Sequence, residues 1–243
     1  MSLFLGLDVG TQGTKGVVID SLSHEVVGSA AESYGLIEGL EPGACEQHPE
    51  TWVNAVGRVC RKLGLPGRDI QGIGVSGQQH GLVVLDEDDR VIRPAKLWCD
   101  TATVEEAEEL SRAFGRRVPV GYTASKILWL LRHEPEHWKR VRHVLLPHDY
   151  INFVLCGEKA MELGDASGTG LLDPVRRVFR DEDLAMIDPG LAQLLPPLLA
   201  PGEFQGRLSA EGARLTGLRE GIPVAQGGGD NMMSAIGSGA TRP

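Results

Sequence analysis

Three groups of residues carry side chains that could do chemistry. Asp8 ends the apolar run of residues 3–7 and is followed at once by Gly10-Thr11-Gln12-Gly13-Thr14-Lys15. An acid at a strand end, facing a Gly/Thr turn, sets backbone N–H groups and hydroxyls around a concavity suited to phosphate oxygens. The carboxylate is then placed to hold Mg2+ through water. This is not a P-loop, because Lys15 leads into Gly16 and a strand instead of Ser/Thr and a helix. A plain Gly-rich hairpin is the competing reading. Near the other end, Gly227-Gly228-Gly229-Asp230-Asn231 follows an apolar strand and precedes a helical segment. Three glycines let the backbone pass close to a ligand, and an acid at a helix start is favoured in its ionised form, so Asp230 could act as a base. Its bland alternative is an N-cap worth about 1 kcal/mol. The third group is Gly77-Gln78-Gln79-His80-Gly81 with Leu97-Trp98-Cys99-Asp100. Amides, an imidazole, an indole and a carboxylate suit a polyhydroxylated ligand. A lone His at a strand end is more often structural, and no second His or Cys stands at metal-ligand spacing. Gly74-Val75-Ser76-Gly77-Gln78 departs from Gly-x-Ser-x-Gly, which sets a hydrolase aside.

The elements around these groups read as α/β. Residues 3–7 and 16–19 form a hairpin about the Gly/Thr turn, with 25–31 as a third strand. Residues 33–49 are a long loop. Pro49 opens a helix on which Trp52, Val53, Val56, Val59, Cys60 and Leu63 repeat at helical spacing until Gly64. Strands follow at 70–75 and 82–85, and the acidic run 86–89 is a solvated turn. Helices are expected at 104–113 and, apolar all round, at 124–131. A strand at 143–146, a helix at 149–155, a loop-rich stretch at 158–201, a strand at 224–225 and a terminal helix after Gly229 complete the pattern.

Composition narrows the partners. With 24 Lys+Arg against 33 Asp+Glu in 243 residues the net charge is −9, which offers no uniform basic field for nucleic acid or an anionic membrane. The longest apolar stretches fall far short of the ~20 residues of a spanning helix, and no signal-peptide pattern opens the chain, so a cytoplasmic location is expected. Cys45, Cys60, Cys99 and Cys156 form no Cys-x-x-Cys pair and are expected to be free buried thiols.

Together the three groups resemble the FGGY family of carbohydrate kinases. That family has an Asp-x-Gly-Thr-x-x-x-Lys loop, a Gly-Gln-x-His-Gly loop, a Leu-Trp-x-Asp segment and a late Gly-Gly-Gly-Asp-Asn in this order, as here. The segments at 121–133, 145–150 and 165–169 are similar to its later signatures. The resemblance spans residues 5–239 and implies an actin-like, ribonuclease-H-type first domain, a mixed sheet with flanking helices. It implies transfer of the γ-phosphate of MgATP to a ketopentose, D-xylulose giving D-xylulose 5-phosphate. A kinase of ribulose or fuculose, or a non-catalytic sugar-binding remnant, is the alternative. Carried over by position, Asp230 is the base, Asp8 serves Mg2+, and Thr11 and Gln12 serve the phosphates. Gln79, His80 and Asn231 grip the sugar, and Trp98 and Asp100 shape the pocket wall. Glycerol kinases carry Arg-Glu in place of Gln79-His80, which disfavours glycerol. Cys99 stands where an Asn is common, and Thr101-Ala102-Thr103 lacks an Arg often seen there. Residues 1–239 are expected to be the sugar-binding domain and 240–243 the start of the connection to an ATP-binding C-terminal half, acting in cis or trans. A homodimer is a further expectation.

Overall fold

The computed structural model describes residues 2–240; the rest of the expected connection, 241–243, lies outside the described residues. Three strands, β1 (Leu3–Val9), β2 (Gly13–Asp20) and β3 (Glu25–Ser33), form an antiparallel meander. On β1 the period of two sends Leu3, Leu5, Leu7 and Val9 into the core and leaves Phe4, Gly6 and Asp8 on the other face. After the short strand β4 (Glu46–Gln47) comes α1 (Pro49–Lys62). Its first-turn proline loses no helical hydrogen bond, and it buries Trp52, Val56, Val59 and Cys60 against the sheet. Strand β5 (Ile70–Gly77) then returns parallel to β1.

A smaller lobe follows. It comprises β6 (Val83–Leu85), β7 (Ala95–Lys96), α2 (Val104–Ala113), α3 (Thr123–His133), α4 (Pro135–Trp138) and β8 (His143–Leu145). Leu82, Val84, Leu110, Ile127, Leu130 and Val144 close its own core. Helix α5 (Pro147–Cys156) leads the chain back to the main sheet. The stretch 158–201 is more regular than the sequence suggests. It holds α6 (Leu163–Ser167), the paired strands β9 (Leu172–Asp173) and β10 (Val178–Phe179), α7 (Asp181–Ile187) and α8 (Leu191–Leu194). Each is too short to display a hydrophobic period, which is why it read as loop. Finally come β11 (Phe204–Arg207), α9 (Ala210–Thr216), β12 (Pro223–Ala225), β13 (Gly228–Gly229) and α10 (Asp230–Gly237).

The main sheet runs β11-β12-β5-β1-β2-β3, with β13 also on β5. A meander continued by β5 and β12 parallel to its first member, with β11 antiparallel at the edge, is the ribonuclease-H-type arrangement that the resemblance implies. Helices α1, α5 and α9 pack together on one face. The opposite face leaves Phe4, Ile19 and Phe204 exposed.

The cysteine expectation is corrected. Cys45 and Cys99 are disulfide-bonded with their Cα atoms 6.1 Å apart, and only Cys60 and Cys156 are free and buried. Distance in sequence concealed the pair: β4 and β7 zip the loop before α1 to the Trp98 segment.

Candidate active site

Strand register brings the two distant acids together. Asp8 on β1 and Gly228 on β13 both lie opposite Ser76 on β5, and the three strands are parallel. Their carboxyl ends therefore open on one crevice, where ligands bind in α/β sheets. Ser76 Oγ donates to Asp8 Oδ1 at 3.1 Å. One residue beyond β13, Asp230 begins α10, and the N–H of Asn231 donates to its Oδ1 at 2.8 Å. Burial holds the Asp230 carboxyl above the usual range, reinforced by the charges of Asp8 and Asp165 and opposed by the Asn231 bond. Among the described residues no salt bridge reaches either Asp8 or Asp230.

The triple glycine is required by its neighbours. Gly227 has φ +67°, and a side chain there would run into the Val75 carbonyl and lie 2.9 Å from His148 Nε2. At Gly229 a Cβ would overlap the Gln79 side chain. Gln79 is thus pressed against the Gly-rich loop, where its Oε1 accepts from Asn231 Nδ2 at 3.0 Å and its Nε2 donates to Asp165 Oδ1 at 3.5 Å.

His80 sits beside them in the left-handed region, φ 63°. Its ring lies 4.7 Å from that of Tyr122, Thr123 Oγ1 donates to its carbonyl at 3.1 Å, and it covers Gly168, where a Cβ would strike the ring. Burial lowers its pKa, so the ring is neutral, and Nδ1 is buried without a partner.

The hairpin after Asp8 is braced from behind. Tyr34 donates to the Gly10 carbonyl at 2.7 Å and Gln47 Nε2 to the Thr11 carbonyl at 2.7 Å. The Thr11 hydroxyl is spent internally, accepting from Trp98 Nε1 at 2.9 Å and donating to Gln78 Oε1 at 3.0 Å. What this turn offers an anion is its backbone: among the described residues no chain acceptor takes the N–H of Thr11 or Gln12. The groove here, about 620 Å3, is lined by Asp8, Thr11, Gln12 and Trp98.

Trp98 is 51% exposed at the mouth, but Asp100 is 0% exposed. Asp100 accepts from the Cys45 N–H at 2.9 Å, from Lys96 Nζ at 3.0 Å and from the Ala102 N–H at 3.1 Å. The expectation that Asp100 lines the pocket is corrected: it lies behind the wall and fixes the segment that presents Trp98. A larger hollow of about 780 Å3, around Arg116 and Arg180, shares no residue with the crevice, and these arginines are paired with Asp173 and Asp183.

The model of the N-terminal domain of the FGGY family of carbohydrate kinases matches residues 3–237. The chain belongs to this family. It is 39% identical over 260 residues to a xylulose kinase of Haemophilus influenzae, the match covering 99% of the chain and 52% of that protein. Against a xylulose kinase of Escherichia coli it is 37% identical over 246 residues, covering 98% and 50%. The solved xylulose kinase of Rhodospirillum rubrum superposes with a TM-score of 0.92 at 30% identity, covering 99% of this chain and 52% of that one. The chain spans about half the length of the curated relatives it matches.

In this FGGY domain the described geometry adds residues that the motifs did not single out. Ser76 orients Asp8, Gly168 makes room for His80, and Asp165 receives Gln79. Asp165 and Gly168 lie in a segment recognisable only by resemblance. Ser76 carries a signal, a small hydroxyl at a strand end, but in the fold that hydroxyl supports Asp8. No helix among the described residues is long and apolar enough to cross a membrane.

Proposed function

We propose that this FGGY domain is the sugar-binding half of a cytoplasmic, ATP-dependent ketopentose kinase that converts D-xylulose to D-xylulose 5-phosphate. The observation that carries the reading is the meeting of Asp8 and Asp230 at one strand-end crevice, beside the paired amides of Gln79 and Asn231. Asp230, held above the usual carboxylate range and free of any basic partner, is suited to take the proton from the attacking sugar hydroxyl. Gln79, Asn231 and the His80 ring offer donors and acceptors to the other hydroxyls, and the Trp98 indole supplies an apolar wall. Xylulose kinases among the relatives support the ketopentose, as does Gln79-His80 at the position that glycerol kinases fill with Arg-Glu.

The residues fit a divalent ion: among the described residues two carboxylates without a cationic partner open on the crevice, and Asp8 keeps an oxygen that accepts no bond. Bound MgATP supplies the phosphoryl group and the positive charge that offsets its oxygens. Asp8 would hold Mg2+, and the N–H groups of Thr11 and Gln12 would face the phosphates. A second half, reached through 240–243 or supplied in trans, would bring the nucleotide. The bare sheet face with Phe4, Ile19 and Phe204 and the exposed Met232 and Ile236 of α10 are surfaces such a half would cover. Association as a homodimer belongs to the same proposal.

Calorimetric titration of the chain with D-xylulose, D-ribulose and glycerol tests the sugar site. Saturable heat with a ketopentose and none with glycerol is expected, and no heat with any ketose removes the reading.

A further inference from the structure

Beneath the crevice lies a buried cluster that the catalytic reading leaves unused: His148 and Asp149 on α5 and Asp165 on α6, all inaccessible. We propose that the His148 ring is a positioning residue that fixes the sugar-gripping amide of Gln79 and the base-bearing loop 226–231 relative to each other. This deepens, and rests on, the sugar-kinase reading above.

The contacts form a closed circuit. His148 Nε2 lies 2.7 Å from the Gln226 carbonyl, which also accepts from Asn152 Nδ2 at 2.8 Å. On its other edge Nδ1 faces Asp149 Oδ1 at 3.4 Å and Asp165 Oδ2 at 3.5 Å. The second oxygen of Asp165 takes Gln79 Nε2, and Gln79 Oε1 takes Asn231 Nδ2. The circuit thus leaves the Gly-rich loop at Gln226 and re-enters it at Asn231, with Asp230 between. The ring also packs where any side chain at Gly227 would have to go, so the loop cannot shift towards α5 without displacing it.

Protonation at both nitrogens suits this place. Nε2 then donates to the Gln226 carbonyl, with Asn152 Nδ2 also 3.0 Å from it, and a proton on Nδ1 faces the charge of two carboxylate oxygens that, like Nδ1 itself, have no hydrogen-bond partner. Burial alone pulls the imidazole down, but the hydrogen bonds and charges of Asp149 and Asp165 outweigh it and lift it to about 10. A divalent ion is the rival occupant, since the three facing atoms lie within 4.8 Å of one another. It is disfavoured because His148 Nε2 is turned to the Gln226 carbonyl, the second oxygens of Asp149 and Asp165 are held by amides and leave neither carboxylate free to chelate, and no fourth His, Cys, Asp or Glu joins the group among the described residues.

The test uses the 243-residue chain, wild type, His148→Gln and Asp165→Asn, with three readouts. Nitrogen NMR at about pH 8, where an ordinary imidazole is neutral, should show the His148 ring protonated on both nitrogens. Hydrogen exchange of the amides 227–231 should quicken in each folded variant, and D-xylulose affinity should fall about tenfold or more. A neutral ring, stoichiometric zinc or another divalent ion lost in His148→Gln, or unchanged loop exchange in both variants would each overturn the proposal. If His148→Gln fails to fold, Asp165→Asn alone decides. If wild type binds no ketose, the sugar-site reading fails, while the ring state and loop exchange still judge the circuit.

Discussion

Two groups of carboxylates border the same Gly-rich loop and have opposite fates. Asp149 and Asp165 are sealed in, share an imidazole and spend their remaining oxygens on the Leu146 N–H and the Gln79 amide. Asp8 and Asp230 face a crevice with small-group support, Ser76 for one and a backbone N–H for the other, and no cation. The difference separates structure from chemistry. A carboxylate sealed beside an imidazole and tied to an amide positions its neighbours, whereas one that opens on a crevice beside another acid is ready for a proton or a metal.

The contrast is broken most sharply at Asp230. With a C-terminal half supplied, Asp230→Asn should lower turnover by about 10²–10⁴-fold while ketose binding and fold persist. Unchanged turnover in a coupled ADP-release assay would remove Asp230 as base. Next comes Asp100, filled like the buried pair: Asp100→Ala removes one partner of a buried ion pair with Lys96 and should cost about 3–5 kcal/mol in urea unfolding. A stability near wild type would show that the wall is not held this way. A smaller effect is expected from Gly229→Ala, which drives a Cβ into Gln79. Ketose affinity should fall about tenfold, roughly 1.4 kcal/mol, with unfolding little changed.

The gentlest probe is pH. His148 folded is lifted to about 10, above its unfolded value of 6.5, so its contribution is whole below pH 6.5 and is lost as pH rises towards 10. Asp149, raised by burial to about 6, has the same sign at lower pH. Between about pH 7.5 and 8.5, above the range where His80 and His143, lowered by burial, act with the opposite sign, stability should decline by at most about 1.4 kcal/mol per pH unit, and His148→Gln should flatten that slope. Cys60, Tyr34 and Tyr150, pushed up to about 12 by burial, enter only above this window. Equal slopes in both proteins would deny the charged ring.

The sequence made the strand ends that border the crevice legible because their signals are local. An acid ending an apolar run, a Gly/Thr turn and three glycines before an acid each describe their own backbone. The helix at 49–62 announced itself by period, and that at 123–133 by the all-round apolar run of 124–131. What stayed hidden depends on contacts between distant segments. The Cys45–Cys99 pair needs β4 beside β7, the burial of Asp100 needs the Cys45 amide and Lys96, and the His148 circuit needs α5 under Gly227. Short elements such as α6 and α9 gave no periodic signal, so their placement of Asp165 and closure of the core could not be read ahead.

The most direct measurement is a crystal structure of the chain with D-xylulose bound. The account predicts a sugar hydroxyl within hydrogen-bond reach of the Asp230 carboxylate, about 2.6–3.2 Å, with Gln79 and His80 on its neighbouring hydroxyls. A sugar seated in the Arg116–Arg180 hollow, or one that leaves Asp230 out of reach, would contradict it.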